Sequence, residues 1–133
     1  MPLFEKYYIY SKKGTMKKAI GLLSLLFVAG AASAQTTIKI EDVAKHEGDS
    51  VMVCAKVFGA KYFDNSGRTL LNIGAKYPDN PLTVMVPGES RANFKNKPED
   101  YYLDKSVCIK GKVIMYHGKP EIIVYDETML LVE

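Results

Sequence analysis

Four segments of the chain alternate between two faces with a period of two, and a fifth segment follows a tight turn near the C-terminus. Such alternation predicts β-strands with one buried face, because successive side chains of a strand point to opposite sides of the sheet. Residues that favour turns, chiefly Gly, Pro, Asn and Asp, separate most of the segments. The predicted strands cover residues 51–57, 68–73, 82–86, 107–113 and 121–125.

A short helix is predicted before the first strand. It covers residues 41–47, with Val43 and Ala44 facing inward. Gly48 follows, and it suits the left-handed conformation in which many helices end.

The order of the remaining elements predicts the fold. A loop over residues 61–67 joins the first two strands, and a helical turn over residues 89–94 follows the third, with Phe94 as its expected core anchor. Residues 116–119 form the tight turn of a hairpin between the last two strands. This order predicts a mainly β protein: a five-stranded OB-fold Greek-key barrel with a short helix between strands 3 and 4 and a short N-terminal helix.

The N-terminal part of the chain has the pattern of a secretory signal peptide. Lys17 and Lys18 precede an apolar run over residues 20–28, and small residues at 32–34 match a signal-peptidase site before Gln35. A membrane-spanning helix needs about 20 apolar residues. The run is shorter than this, so we expect no stable membrane insertion after signal cleavage.

Three regions follow from this interpretation. Residues 1–15 are expected to come from a mis-assigned upstream start, because Met16 is placed as the natural start of the signal. Residues 16–34 are the predicted signal peptide, and residues 35–133 are the predicted OB-fold domain. The protein is therefore expected to be exported to the periplasm or outside the cell.

The charge balance of the predicted mature part argues against a general affinity for polyanions. The whole chain carries a formal charge of +3, but residues 35–133 contain 13 basic and 14 acidic side chains. Phosphate contacts supply most non-specific affinity for nucleic acid, so a general binder is usually more basic. A local positive patch is compatible with this balance, because residues 105–120 contain four lysines and no acidic residue.

The two cysteines are predicted to form a disulfide. Cys54 lies in the outward phase of the first strand and Cys108 in the outward phase of the fourth, and these strands are neighbours in an OB barrel. An oxidising compartment would let the bridge persist. The alternative is a redox or metal-binding pair, but the chain has no C-x-x-C, and His46 and His117 are far apart in sequence. We therefore expect no metal and no cofactor.

The sequence resembles a family of small exported bacterial OB-fold proteins, many of which are described as nucleic-acid-binding. The matching segments are residues 51–57 (VMVCAKV), 71–78 (LNIGAKYP), 83–86 (TVMV), Arg91 with Phe94, 107–113 (VCIKGKV) and 116–124 (YHGKPEIIV). Ala55 stands where the family usually has Gly. The resemblance implies the barrel and its export.

The candidate ligand site is the outer face of the second and third strands, where OB barrels usually bind. The first-to-second and fourth-to-fifth loops frame this face. Aromatic rings stack on bases and cations meet phosphates, which is the combination that a single strand needs. The alternative is that the rings cover the barrel ends and the lysines are simply solvated. The predicted ligand-binding residues are Tyr62, Phe63, Arg68, Asn72, Met85, Tyr116, His117 and Lys119.

Arg91 is predicted to be an ion-pair partner of Glu89, Asp100 or Asp104 rather than a ligand contact. Tyr77, before Pro78, is expected to shape its loop.

Catalysis is not expected from this sequence. A nuclease built on this barrel would need clustered carboxylates for a divalent cation, whereas the acidic residues here are scattered. No Ser or Cys nucleophile has a plausible His base.

Two hypotheses for the function remain open. The first is an exported module that binds single-stranded nucleic acid or another extended polymer. The second is an envelope interaction module that binds a protein, a peptide or a glycan.

Overall fold

The computed structural model describes residues 35–133. The predicted upstream start and signal peptide, residues 1–34, lie outside the described part of the chain. Within residues 35–133, no helix is long and apolar enough to cross a membrane.

The described chain is built mainly of β-strands. A four-residue α-helix, α1 (Pro98–Tyr101), and three 3₁₀ turns (Ile40–His46, Gly88–Asn93 and Glu127–Met129) connect them. The strands are β1 (Thr36–Ile38), β2 (Ser50–Tyr62), β3 (Thr69–Ile73), β4 (Leu82–Val86), β5 (Ser106–Tyr116), β6 (Lys119–Ile123) and β7 (Leu130–Val132).

Five of these strands close into a barrel. Neighbouring strands follow the order β2, β3, β4, β6, β5 and back to β2, and β4 and β6 are parallel while the other barrel pairs are antiparallel. This topology confirms the predicted OB barrel. The short strands β1 and β7, which the sequence did not predict, pair with the outer edges of β2 and β5.

The long strand β2 closes the barrel because it pairs with two partners. Its first half, through Lys56, pairs with β5, and its second half pairs with β3. The register shifts between Val57 and Gly59, which is a β-bulge that bends the strand from one partner to the other. Because β2 continues through Tyr62, the prediction that residues 61–67 form the loop was wrong at its first two positions.

The barrel core consists of the inward residues that the alternation predicted. Val51, Val53, Leu71 and Val84 are fully buried, and Ala55 is partly buried against them. Gly111 also faces inward on β5, where an added Cβ would lie only 2.6 Å from the Cγ2 atom of Ile122. The glycine therefore allows β5 and β6 to approach each other over the core.

The N-terminal helix exists, but it differs from the prediction in detail. It is a 3₁₀ helix over Ile40–His46, in which Val43 is buried and Ala44 is exposed. A 3₁₀ helix has three residues per turn, so fewer neighbouring positions share one face than in an α-helix. Gly48 adopts a φ of +88°, as predicted.

The segment between β4 and β5 contributes two aromatic side chains to the core. Phe94 is buried as predicted, and its ring meets that of Tyr102 edge to face with centroids 6.3 Å apart. The Tyr102 hydroxyl donates a hydrogen bond to the carbonyl oxygen of Leu130 at 3.3 Å. Burial, with smaller contributions from Glu127 and Tyr101, raises the pKa of Tyr102 to about 12.

The predicted disulfide is confirmed. Cys54 on β2 lies directly opposite Cys108 on β5, with their Cα atoms 4.0 Å apart and their sulfurs bonded. The disulfide therefore links β2 to β5, the pair of strands that closes the barrel.

Candidate ligand-binding groove

Two clefts lie side by side on the outer face of the barrel. The first, of about 510 Å³, lies over β3, β4, β5 and β6, and the second, of about 550 Å³, lies over β2 and β3. Both are lined by Leu70 and Tyr77, so we treat them together as the groove. The groove occupies the face on which OB barrels usually bind their ligands.

The structure brings most of the predicted site residues to this groove. Tyr62 is the exception and lines neither cleft. The first cleft contains Arg68, Met85, Tyr116, His117 and Lys119, and the second contains Phe63 and Asn72.

The turn of the last hairpin places Tyr116, His117 and Lys119 at the rim of the first cleft. His117 and Gly118 both adopt positive φ values, +50° and +77°. Two such residues match the right-handed twist of the flanking strands. The rings of Tyr116 and His117 meet edge to face with centroids 4.2 Å apart, and Tyr116 is half exposed.

Tyr77 is a groove residue for which the sequence predicted only a role in loop shape. Its side chain is 75% exposed and stands between the two clefts. Lys119 donates a hydrogen bond from Nζ to the carbonyl oxygen of Pro78 at 2.7 Å, and the same Nζ lies 5.8 Å from the Tyr77 ring centroid. The loop before β4 is therefore linked to the hairpin turn on the other side of the cleft.

In the second cleft, the ring of Phe63 has two cationic side chains close to it. The Nζ atom of Lys61 lies 5.3 Å from the Phe63 ring centroid, and the guanidinium carbon of Arg68 lies 5.0 Å from the same centroid. Both distances are within the range of cation–π attraction. Lys76 adds a further positive charge to the lining.

Among residues 35–133, Glu121 is the one acidic residue that lines the groove, and the sequence did not single it out. It lies on β6 opposite Thr83 of β4, and only 7% of it is exposed. Burial raises the pKa of its carboxyl, and the charge of Arg68 offsets part of this effect. The alternation around Ile122 would have placed Glu121 on the outer face, but nothing in the sequence showed which strand lies beside it.

Tyr62 belongs to a different cluster, at the end of the barrel. The guanidinium carbon of Arg91 lies 4.1 Å from the Tyr62 ring centroid. Arg91 also donates hydrogen bonds to Thr69 Oγ1 at 3.0 Å and to both carboxylate oxygens of Glu99, at 2.5 and 3.2 Å. The predicted ion pair exists, but its partner is Glu99 rather than Glu89, Asp100 or Asp104, because α1 turns Glu99 toward the barrel.

A group of possible metal ligands among the described residues consists of Cys54, Cys108 and Glu133. Zinc is held by thiolates, and both sulfurs here are bonded to each other. The bridged pair therefore offers no thiolate to a metal.

Comparison with known proteins supports the fold but does not assign the chain to a family. No protein-family model matches the chain, and no curated protein matches its sequence. A solved structure of yeast Stn1 and Ten1 is similar, with 14% sequence identity, a TM-score of 0.54, and coverage of 83% of this chain and 69% of that one. A structure described as an aspartyl-tRNA synthetase from Leishmania major is 12% identical with a TM-score of 0.49, and the match covers 75% of this chain.

The match spans only 21% of the length of that synthetase. Together with the strand order, the similarity to Stn1 and Ten1 identifies the described domain as an OB-fold barrel.

Proposed function

We propose that the domain binds a short single-stranded nucleic acid along the groove and does not catalyse a reaction. The observation that carries this proposal is the position of Tyr77 and Tyr116, two exposed rings on one groove beside several cations. Bases stack on such rings irrespective of sequence, while cations meet the phosphates. The cations that line the groove are Lys61, Arg68, Lys76 and Lys119.

The local charge of the groove supports the proposal despite the near-neutral charge of the domain. Within the described part of the chain, four basic side chains line the two clefts, against the single carboxyl of Glu121. The groove is therefore more positive than the surface as a whole, and this attracts a polyanion locally.

A binding role fits the groove better than a nuclease role. Metal-dependent phosphoryl transfer uses clustered carboxylates to hold the cation, and one buried carboxyl does not make such a cluster. We further propose that the domain acts outside the cytoplasm. The signal-like N-terminus and the bridge between Cys54 and Cys108 support this.

Fluorescence anisotropy with a labelled 12-nucleotide strand tests the proposal directly. Tyr116→Ala and Tyr77→Ala should each weaken binding about 5- to 150-fold, since one stacked base contributes about 1–3 kcal/mol. Tyr125→Ala is the matched control, because Tyr125 is also half exposed but lies outside both clefts. Absence of binding at low salt, or equal losses in all three variants, would contradict the proposal.

The second candidate is an envelope interaction module that binds a protein, a peptide or a glycan. The apolar floor of the first cleft favours it, because Leu70, Met85, Ile114 and Ile123 form a surface that suits apolar side chains or sugar rings. Cross-linking in the cell envelope through a photoreactive residue at position 116, followed by identification of the bound species, separates the candidates. A nucleic acid supports the first candidate, and a protein, peptide or glycan supports the second.

A further inference from the structure

Glu121 lines the first cleft, and its carboxyl has no hydrogen-bonding partner among the described residues. The residue is more than nine-tenths buried, and no hydrogen bond or ion pair within residues 35–133 satisfies its carboxyl. Its oxygens are not among the fully buried atoms that lack a partner, so a donor in the cleft can reach them. The carboxyl therefore marks a position in the cleft where an N–H donor is favoured.

Arg68 lines the same cleft, and it also has a polar atom without a hydrogen-bond partner. Its Nε atom is buried without a hydrogen-bond partner among the described residues. Its charge acts on Glu121, but the two side chains do not form an ion pair. The cleft is thus lined by a hydrogen-bond acceptor, Glu121, and a donor, Arg68, that do not pair with each other.

The rest of the cleft suits a flat, partly apolar group. Leu70, Met85 and Ile123 provide apolar contact, and Tyr77 and Tyr116 stand where rings can stack. A nucleobase has this shape. Single-stranded bases are recognised in proteins by stacking on aromatic rings and by hydrogen bonds to their exposed edges.

We propose that the first cleft holds one base of the bound strand and that Glu121 selects bases that carry an exocyclic amino group. This inference rests on the proposed function. The amino group donates to the Glu121 carboxyl, while a ring nitrogen or carbonyl oxygen of the same base accepts from Arg68. Glu and Asp side chains accept from the cytosine amino group in this way in other nucleic-acid complexes.

Thymine is disfavoured by the same chemistry. Its pairing edge has carbonyl oxygens on both sides of one N–H, so a carbonyl oxygen would face the carboxyl of Glu121. A buried polar group left without its hydrogen bond weakens binding strongly. Glu121 is then a specificity-determining residue of the groove.

The test compares labelled dC12, dA12 and dT12 at neutral pH by fluorescence anisotropy, with the full-length protein. We expect dT12 to bind about tenfold more weakly than the other two. Glu121→Gln should reduce this difference to about twofold, because the amide can also donate to the thymine carbonyl. Glu41→Gln, an equal charge change at an exposed position away from the groove, should leave the difference unchanged.

A wild-type measurement keeps the test independent of the folding of the variant. Replacement of cytosine by 2-pyrimidinone, which lacks the amino group, should weaken binding of the 12-mer about tenfold. Equal affinity for the cytosine and the 2-pyrimidinone 12-mers overturns the inference and leaves the proposed function intact. A base preference that survives Glu121→Gln has the same consequence. Failure of every oligonucleotide to bind overturns both.

Discussion

The side chain of Lys119 joins two loops that are far apart in sequence, because its Nζ atom donates a hydrogen bond to the carbonyl oxygen of Pro78, 41 residues away. The bond spans the first cleft between the β3–β4 loop and the β5–β6 turn. It places a positive charge beside the exposed ring of Tyr77. Charge and ring therefore face the groove together.

Lys119→Met tests this arrangement, because it keeps the aliphatic stem and removes the charge and the hydrogen bond. We expect oligonucleotide affinity to fall about 5- to 10-fold, with the slope of log affinity against log salt reduced by about 0.7, the value for one phosphate contact on a single strand. Lys45→Met is the control, since Lys45 is largely exposed on the N-terminal 3₁₀ helix. A loss of affinity with an unchanged salt slope would mean that Lys119 acts only through loop structure.

The contribution of Glu121 to the stability of the fold should become less favourable as pH rises. Burial raises its pKa, so the folded state holds its proton more tightly than the unfolded chain does. Its contribution is most favourable below the unfolded pKa and is lost as pH rises through the folded pKa. The gain in unfolding free energy from Glu121→Gln should therefore grow between about pH 4 and pH 7. Urea unfolding measures this, and a gain independent of pH would contradict the assignment.

Glu99 should show the opposite dependence. Burial alone would raise its pKa, but the hydrogen bond from Arg91, a backbone hydrogen bond and the charges of Arg91 and Lys97 together lower it. The stabilisation is present above the unfolded pKa and is lost as pH falls through the folded pKa. Glu99→Gln should cost about 2 kcal/mol near pH 7 and much less below about pH 3. Asp100→Asn, at the exposed neighbouring position, should cost little at either pH.

The bridge between Cys54 and Cys108 should supply much of the stability of this small barrel. The two residues are 54 positions apart, and closing a loop of that size stabilises a fold by about 4 kcal/mol in the chain-entropy model. Replacement of both cysteines by alanine should lower the urea midpoint by a corresponding amount. Reductant should destabilise the wild type and leave the double variant unchanged. Two free thiols in the protein isolated without reductant would contradict the bridge.

Four of the five barrel strands were predictable because burial of one face imposes a period of two on them, and the fifth was predictable from the tight turn before it. Val51 and Val53 face the core, and Cys54 faces outward, as their positions in the alternation required. The same rule put Cys108 on the outer face of β5. Very short strands could not be predicted in this way. β7 has three residues, which is too short for a period to be distinguished from chance.

The groove was predictable in outline but not in its polar contacts. The turn that carries Tyr116 and Lys119 could be located from local sequence, since its conformation depends on four neighbouring residues. Glu121 could not be selected, because its burial comes from β4 and β5 on either side. The position of Tyr62 was also undetermined, because its contact with Arg91 links residues 29 positions apart.

The sequence by itself determined the strands, the face that each strand buries and the outward position of both cysteines. These properties depend on neighbouring residues and on the two-residue repeat of a strand. Only the tertiary structure decided which outward residues meet. Closure of the barrel brings β4 beside β6, and this buries Glu121 near Arg68. Such a contact depends on distances between distant segments, which a local pattern does not contain.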